Sequence, residues 1–204
     1  MLGLKNLRNS INTSLSTWHW WVIAIITFAV SQYIMGWLTN LYNLTEFPVS
    51  FFVGQTTFDA AELKGYWQVL IEKNTLGKYV MVQVYDYGYM LTVLIAFACC
   101  CIALFRSFPI NSRLRNLAWL FVLFTPQAAT FDALENAVSF IMLMQPLEFA
   151  DWLVHPYSAF ASIKFVIYGI AYLWFIIGSI LALGVNVVRY FQTKNQNSVH
   201  TVEL

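Results

Sequence analysis

Charge is scarce in this chain. Asp, Glu, Lys and Arg supply 10% of its 204 residues, while 59% are hydrophobic and 18% aromatic, with a mean hydropathy of +0.62. That balance excludes an ordinary water-soluble domain, and a net charge of +1 without a basic cluster excludes a nucleic-acid footprint. The three cysteines, Cys99, Cys100 and Cys101, stand side by side in an apolar run. They form neither a C-x-x-C redox pair nor a disulfide framework and read as packing residues. His19, His155 and His200 lie far apart and lack metal-ligand spacing, so no metal and no other cofactor is implied. P-loop, G-x-G-x-x-G and G-x-S-x-G motifs are all missing.

Long hydrophobic runs are what the sequence does have. Four reach the ~20 residues that an apolar helix needs to cross the hydrocarbon core. They cover residues 18–38, 80–105, 117–144 and 160–188 and predict an all-α, polytopic four-helix bundle as one domain over residues 18–190. The last two exceed a perpendicular span, so tilt, a kink or interfacial turns are expected, with Pro126 the kink candidate in the third. Gly169, Gly178 and Gly184, with Ala171 and Ala182, predict close helix packing along the fourth.

Basic residues near the runs set an orientation. Lys5 and Arg8 precede the first, Arg106, Arg113 and Arg115 join the second to the third, and Arg189 and Lys194 follow the fourth. By the positive-inside rule these segments are cytoplasmic, which predicts an N-in, C-in topology. The first run is too long for a signal-peptide core and continues into a tryptophan-bearing end, so it reads as a span. In the leader, residues 1–17, Leu4, Leu7, Ile11 and Leu15 share a helical face opposite Lys5, Arg8 and Asn12. Both an interfacial helix and a frayed leader fit that pattern. Residues 191–204 read as a disordered cytoplasmic tail.

The segment between the first two spans, residues 39–79, is long enough to carry structure of its own. Within it, residues 57–71 predict an amphipathic helix capping the outer mouth, with Phe58, Ala61, Leu63, Trp67, Leu70 and Ile71 as its apolar residues and Thr57 as N-cap. Trp18, Trp20, Trp21 and Trp37 bracket the first span and Trp152 precedes the fourth, as expected of interfacial belts.

The candidate site lies in the third span. Asp132, Glu135 and Asn136 fall on one helical face, extended by Thr125, Ala128, Ala129 and Ser139. An ionisable residue at such depth is costly and is a functional-site hypothesis by default. In the second span Asp86 lies about two turns in, on a face with Tyr79, Gln83, Tyr87 and Met90. Lys164 starts the fourth span, with Tyr168 one turn deeper. Three helices thus send polar groups to one region. Three carboxylates against one ammonium leave two excess negative charges, so either water enters or a carboxyl carries a proton. A wet acidic site favours a cation or an amine.

Plainer readings stand beside these. Interhelical hydrogen bonds contribute about 0.6 kcal/mol and up to ~2 kcal/mol, which suffices to explain Asn136 and Ser139 as glue. Lys164 has the reach to snorkel to the interface. Asp132 and Glu135 resist this treatment, because a buried carboxylate costs more than such a bond returns.

The D-x-x-Y pattern at Asp86 to Tyr89, the FDALEN segment at residues 131–136 and the A-S-x-K start at residues 161–164 resemble a group of small, uncharacterised bacterial four-helix membrane proteins. The resemblance covers most of the chain from Phe58 onward and implies a bacterial plasma membrane, but no activity. In architecture the chain is also similar to the EXPERA group of sterol isomerases and sterol-binding proteins, from which no catalytic residue carries over.

Three functions fit the sequence. One is a pocket that binds, and in an enzymatic version transforms, an amphipathic or lipid-phase molecule, with Asp132 and Glu135 meeting a polar or cationic head while Tyr87, Met90 and Tyr168 line an apolar wall. Another is a proton or ion pathway, which requires a homo-oligomer because four helices barely enclose a pore. The third is a non-catalytic assembly subunit. Membrane lipids are the expected surroundings in each.

Overall fold

The computed structural model describes residues 2–200, with side-chain surroundings for residues 3–194. The described residues are helical throughout apart from short connections. Eight α-helices follow in order: α1 (Leu2–Thr13), α2 (Thr17–Asn43), α3 (Phe51–Gln55), α4 (Ala60–Glu72), α5 (Leu76–Ser107), α6 (Arg113–Phe124), α7 (Gln127–Leu143) and α8 (Val154–His200). A single 3-10 turn, Asp151–Leu153, leads into α8. Four helical segments among the described residues are long and apolar enough to cross a membrane: α2, α5, α6 with α7, and α8.

Helix α5 is the axis. Its most apolar stretch is 56% buried against 17% for α2, and it packs on α2, α6, α7 and α8. Tyr79, Val82, Gln83, Asp86, Met90, Val93 and Phe97 form its buried stripe at spacings of three and four, so polar Gln83 and Asp86 ride inward with the apolar residues. Large apolar side chains such as Ile25, Leu91, Leu120, Ile176 and Leu183 point outward. Water would penalise that face, and hydrocarbon would not.

The third run breaks where Pro126 sits. Proline offers no N–H to the preceding turn, so α6 ends at Phe124 and α7 restarts at Gln127. The Thr125 hydroxyl donates to the Phe121 carbonyl at 3.0 Å and occupies an acceptor at the break.

One end of the bundle is capped by α3 and α4. Leu63, Trp67 and Leu70 of α4 are fully buried and pack with Leu38, Tyr42, Tyr79, Met142 and Tyr157. The amphipathic helix expected over residues 57–71 thus forms, but it starts at Ala60. Asp59, not Thr57, is its N-cap, accepting from the Ala61 and Glu62 amides at 2.8 and 3.1 Å. Phe58 adopts a positive φ of 53°, which turns the chain before the helix and leaves its ring exposed. The Thr57 hydroxyl donates instead to the Glu62 carboxylate, as does Tyr66. These bonds hold Glu62 below its usual carboxylate range. Lys64–Asp151 at 2.6 Å and Lys73–Glu46 at 2.9 Å join the parts of the cap on its outer side, where solvent screens both pairs.

The other end is basic. Helix α1 turns its polar side to the bundle: Arg8 donates to Asn116 Oδ1 at 2.8 Å, and Arg115 donates to Asn12 Oδ1 at 2.6 Å. Arg106 donates to the carbonyls of Ile11 and Asn12 at the α1 C-terminus, where a cation is favoured by the helix dipole. Leu4, Leu7 and Leu15 remain exposed. The leader is a helix whose apolar face is divided: Ile11 is buried in the core with Phe105, Phe108 and Trp119, while the three leucines are free to lie on a membrane surface.

Helix α8 corrects another expectation. It begins at Val154 and runs on to His200, so residues 191–200 of the expected irregular tail are helical, and residues 201–204 lie outside the described residues. Helical geometry carries this helix about 70 Å, well past a 30 Å hydrocarbon core.

Candidate functional site

Asp132 and Glu135 face α8 because positions three apart on a helix share a face, and Lys164 stands opposite them. Its ammonium donates to Asp132 Oδ1 at 2.8 Å and also to the Glu135 carboxylate. Tyr168, one turn further along α8, donates to Asp132 Oδ2 at 3.2 Å. Asn136, one position beyond Glu135, turns to α5 and donates to Asp86 Oδ2 at 2.8 Å. Lys164, Asp132, Glu135 and Asp86 are each at most 3% exposed. Lys164 therefore does not snorkel. Two carboxylates inside the bundle outweigh the pull of the interface.

Among the described residues, four buried side chains in and beside this cluster keep further hydrogen-bonding capacity. Gln83 donates to the Tyr79 hydroxyl at 2.8 Å, yet its Oε1 has no protein partner; nor do Glu135 Oε1, Asn136 Oδ1 and Ser139 Oγ. A buried polar atom left bare costs about 1–3 kcal/mol, so these positions are suited to water or to a bound polar group. Ser139 makes no interhelical bond here, so glue explains Asn136 better than it explains Ser139.

The cluster forms one wall of a cavity of about 310 Å³. Asp86, Asp132 and Lys164 supply its charge. Its aromatic wall comes from Tyr42, Phe51, Tyr89, Phe165, Tyr168 and Tyr172, and Gln32 and Thr39 of α2 add neutral polar groups. The Lys164 ammonium lies 5.2 Å from the Phe165 ring centroid and 5.9 Å from that of Phe51, within cation–π range. Asn136 is the one hydrogen-bond partner of Asp86 among the described residues, so its carboxylate retains acceptor capacity toward the cavity. Helix α2 packs on α5 and hardly touches α8, and the cavity lies between residues 32–42 of α2 and residues 164–172 of α8.

Most of the expected residues meet here. Asp86, Asp132, Lys164 and Tyr168 line the cavity, and Glu135 and Asn136 support it from behind. Gln83 is buried against Tyr79, outside the cavity wall. Tyr87 is not in the site: it is 39% exposed and stacks on Phe140 at 6.2 Å. Tyr89 takes its place, because each residue advances about 100° around a helix and Tyr89, three past Asp86, returns to the same side. Met90 is buried but does not reach the wall. Gln32 and Tyr172 were missed. Gln32, a lone amide in mid-span, carried the same signal as the acids; Tyr172 falls one turn beyond Tyr168.

Among the described residues no group of three His, Cys, Asp or Glu is arranged to hold a metal ion. The ammonium of Lys164 stands between Asp132 and Glu135, where a cation bridging that pair would sit. Cys101 Sγ lies 3.6 Å from the Thr125 hydroxyl, deep in the basic half and away from the cluster. No family model, curated protein or solved structure matches the chain, so the site has only its own geometry to speak for it.

Proposed function

We propose that this is a multi-pass protein of a bacterial plasma membrane, N-in and C-in, whose acid-lysine cavity binds the polar head of an amphipathic molecule. The observation that carries the reading is Asp86: a buried carboxyl group with a single side-chain partner among the described residues, on the wall of an aromatic cavity. Acids outnumber the one lysine at the cavity wall, and with six aromatic rings they favour a cationic head, such as an amine, over an anionic one. A head of that kind adds the missing positive charge and donates to the spare acceptors.

The alternative, a proton or ion pathway in a homo-oligomer, has less support from the packing within one copy. On the basic side of the cluster, Val93, Phe97 and Ala171 close the bundle, with Phe97 edge-on to Tyr168, Tyr172 and Phe175 at 5.0–5.7 Å.

Binding is tested with octylamine and octanoate on the protein in phosphatidylcholine nanodiscs, read by tryptophan fluorescence. Octylamine is expected to bind and octanoate to fail. Asp86→Asn keeps an acceptor for Asn136 and is expected to weaken octylamine at least tenfold. Equal binding of both amphiphiles, or an unaffected variant, would overturn the reading. For orientation, a cysteine replacing exposed Glu72 should react with an impermeant maleimide from outside the cell, while reporters at Asn111 and after Leu204 report cytoplasm. Protection of Cys at position 72 would reverse the topology.

A further inference from the structure

The α2/α8 seam holds a second space. Beyond Tyr172, toward the basic end, it continues as a groove of about 630 Å³ between residues 21–29 of α2 and residues 172–179 of α8, with Cys100 of α5 on its wall. No charged residue lines it. Tyr172 belongs to both spaces. Its hydroxyl accepts from Gln32 Nε2 at 3.4 Å and its ring meets Phe28 edge-on at 6.2 Å. The partition between charged cavity and apolar groove is therefore the Tyr172 side chain alone, held by one long hydrogen bond and by edge-on contacts with Phe28, Phe97 and Phe175. At 1.5 Å per residue the groove runs about 12 Å along α2.

We infer that the seam is a single two-part site for a single-chain amine, whose ammonium lies beside Asp86 and Asp132 and whose hydrocarbon tail passes Tyr172 into the groove, entering sideways from the membrane. This rests on the head-group reading above. Three features select the occupant: excess negative charge at one end, an apolar wall at the other, and continuity between them through one shared side chain. Surrounding lipid is as apolar as the groove, so burying the tail gains no hydrophobic free energy. What the groove supplies is contact and register, fixing where the chain runs.

The test uses the full chain in phosphatidylcholine nanodiscs with two probes, butylamine and hexadecylamine carrying a mid-chain diazirine. Illumination is expected to label residues 21–29 and 172–179, with labelling displaced by unlabelled hexadecylamine and not by hexadecanol. Ala29 is exposed on the groove wall. Ala29→Trp is therefore expected to weaken hexadecylamine at least tenfold and leave butylamine within twofold; comparing one amine on two proteins cancels its partition into the bilayer. Suppose butylamine binds and Asp86→Asn abolishes it, while labelling scatters over the outer faces of α5 and α6 and Ala29→Trp changes nothing. The tail path is then wrong and the head site stands. If neither amine binds, both fall. Should the Trp variant fold poorly, the labelled positions in the parent protein still decide.

Discussion

Lys164→Met is expected to destabilise the protein more than any other single change at the site, by about 3–5 kcal/mol, because it leaves Asp132 and Glu135 facing each other in the bundle with their cation gone. Thermal unfolding in mild detergent, followed by the fraction surviving size exclusion, reads the effect. Methionine preserves the length and apolar character of the lysine stem, so the loss reports charge more than packing. The triple variant Lys164→Met, Asp132→Asn, Glu135→Gln removes all three charges and is expected to recover most of the stability, since replacing a whole buried ion group is commonly neutral. A single variant that melts like the parent would mean that water, or a shift of Lys164 to the surface, already screens these acids.

The second large effect separates recognition from glue. Asp132→Asn keeps shape and hydrogen bonding to Lys164 and Tyr168 while removing a charge from the cavity wall. Octylamine binding is expected to fall at least tenfold, with stability within about 1 kcal/mol of the parent, because an excess buried negative charge has gone. Glu135→Gln lies behind the wall and touches the cavity only through Lys164. A smaller loss of binding, about threefold to fivefold, is expected from it. If both variants bind the amine like the parent in titration and complement a deletion strain fully, the acids are structural, and an assembly role becomes the better account.

The candidate site was largely legible in the linear chain, and its misreadings have physical causes. Asp132, Glu135 and Asn136 stood out because ionisable groups in an apolar run are rare and their spacing puts them on one face. Pro126 announced the α6/α7 break for an equally local reason, a missing N–H. Tyr87 was placed wrongly because the phase of α5 is defined by its whole buried stripe, and Tyr87 lies about 100° from Asp86, far enough to face outward. Thr57 lost the N-cap position to Asp59 because both are good caps and the turn at Phe58 decides where the helix begins.

The number and approximate limits of the membrane-length helices follow from the sequence alone, because an apolar run of that length is a local property that no packing partner needs to create. The same holds for the depth of the acids along α5 and α7. What Lys164 pairs with is not local: its long stem can reach the interface or the bundle interior, and only the carboxylates presented by α7 make the inward path favourable. The cavity belongs to no single segment either. It exists because α2 packs on α5 and leaves α8 apart, an outcome of competing helix–helix contacts among surfaces of nearly equal hydrophobicity, which residue order does not reveal and three-dimensional packing decides.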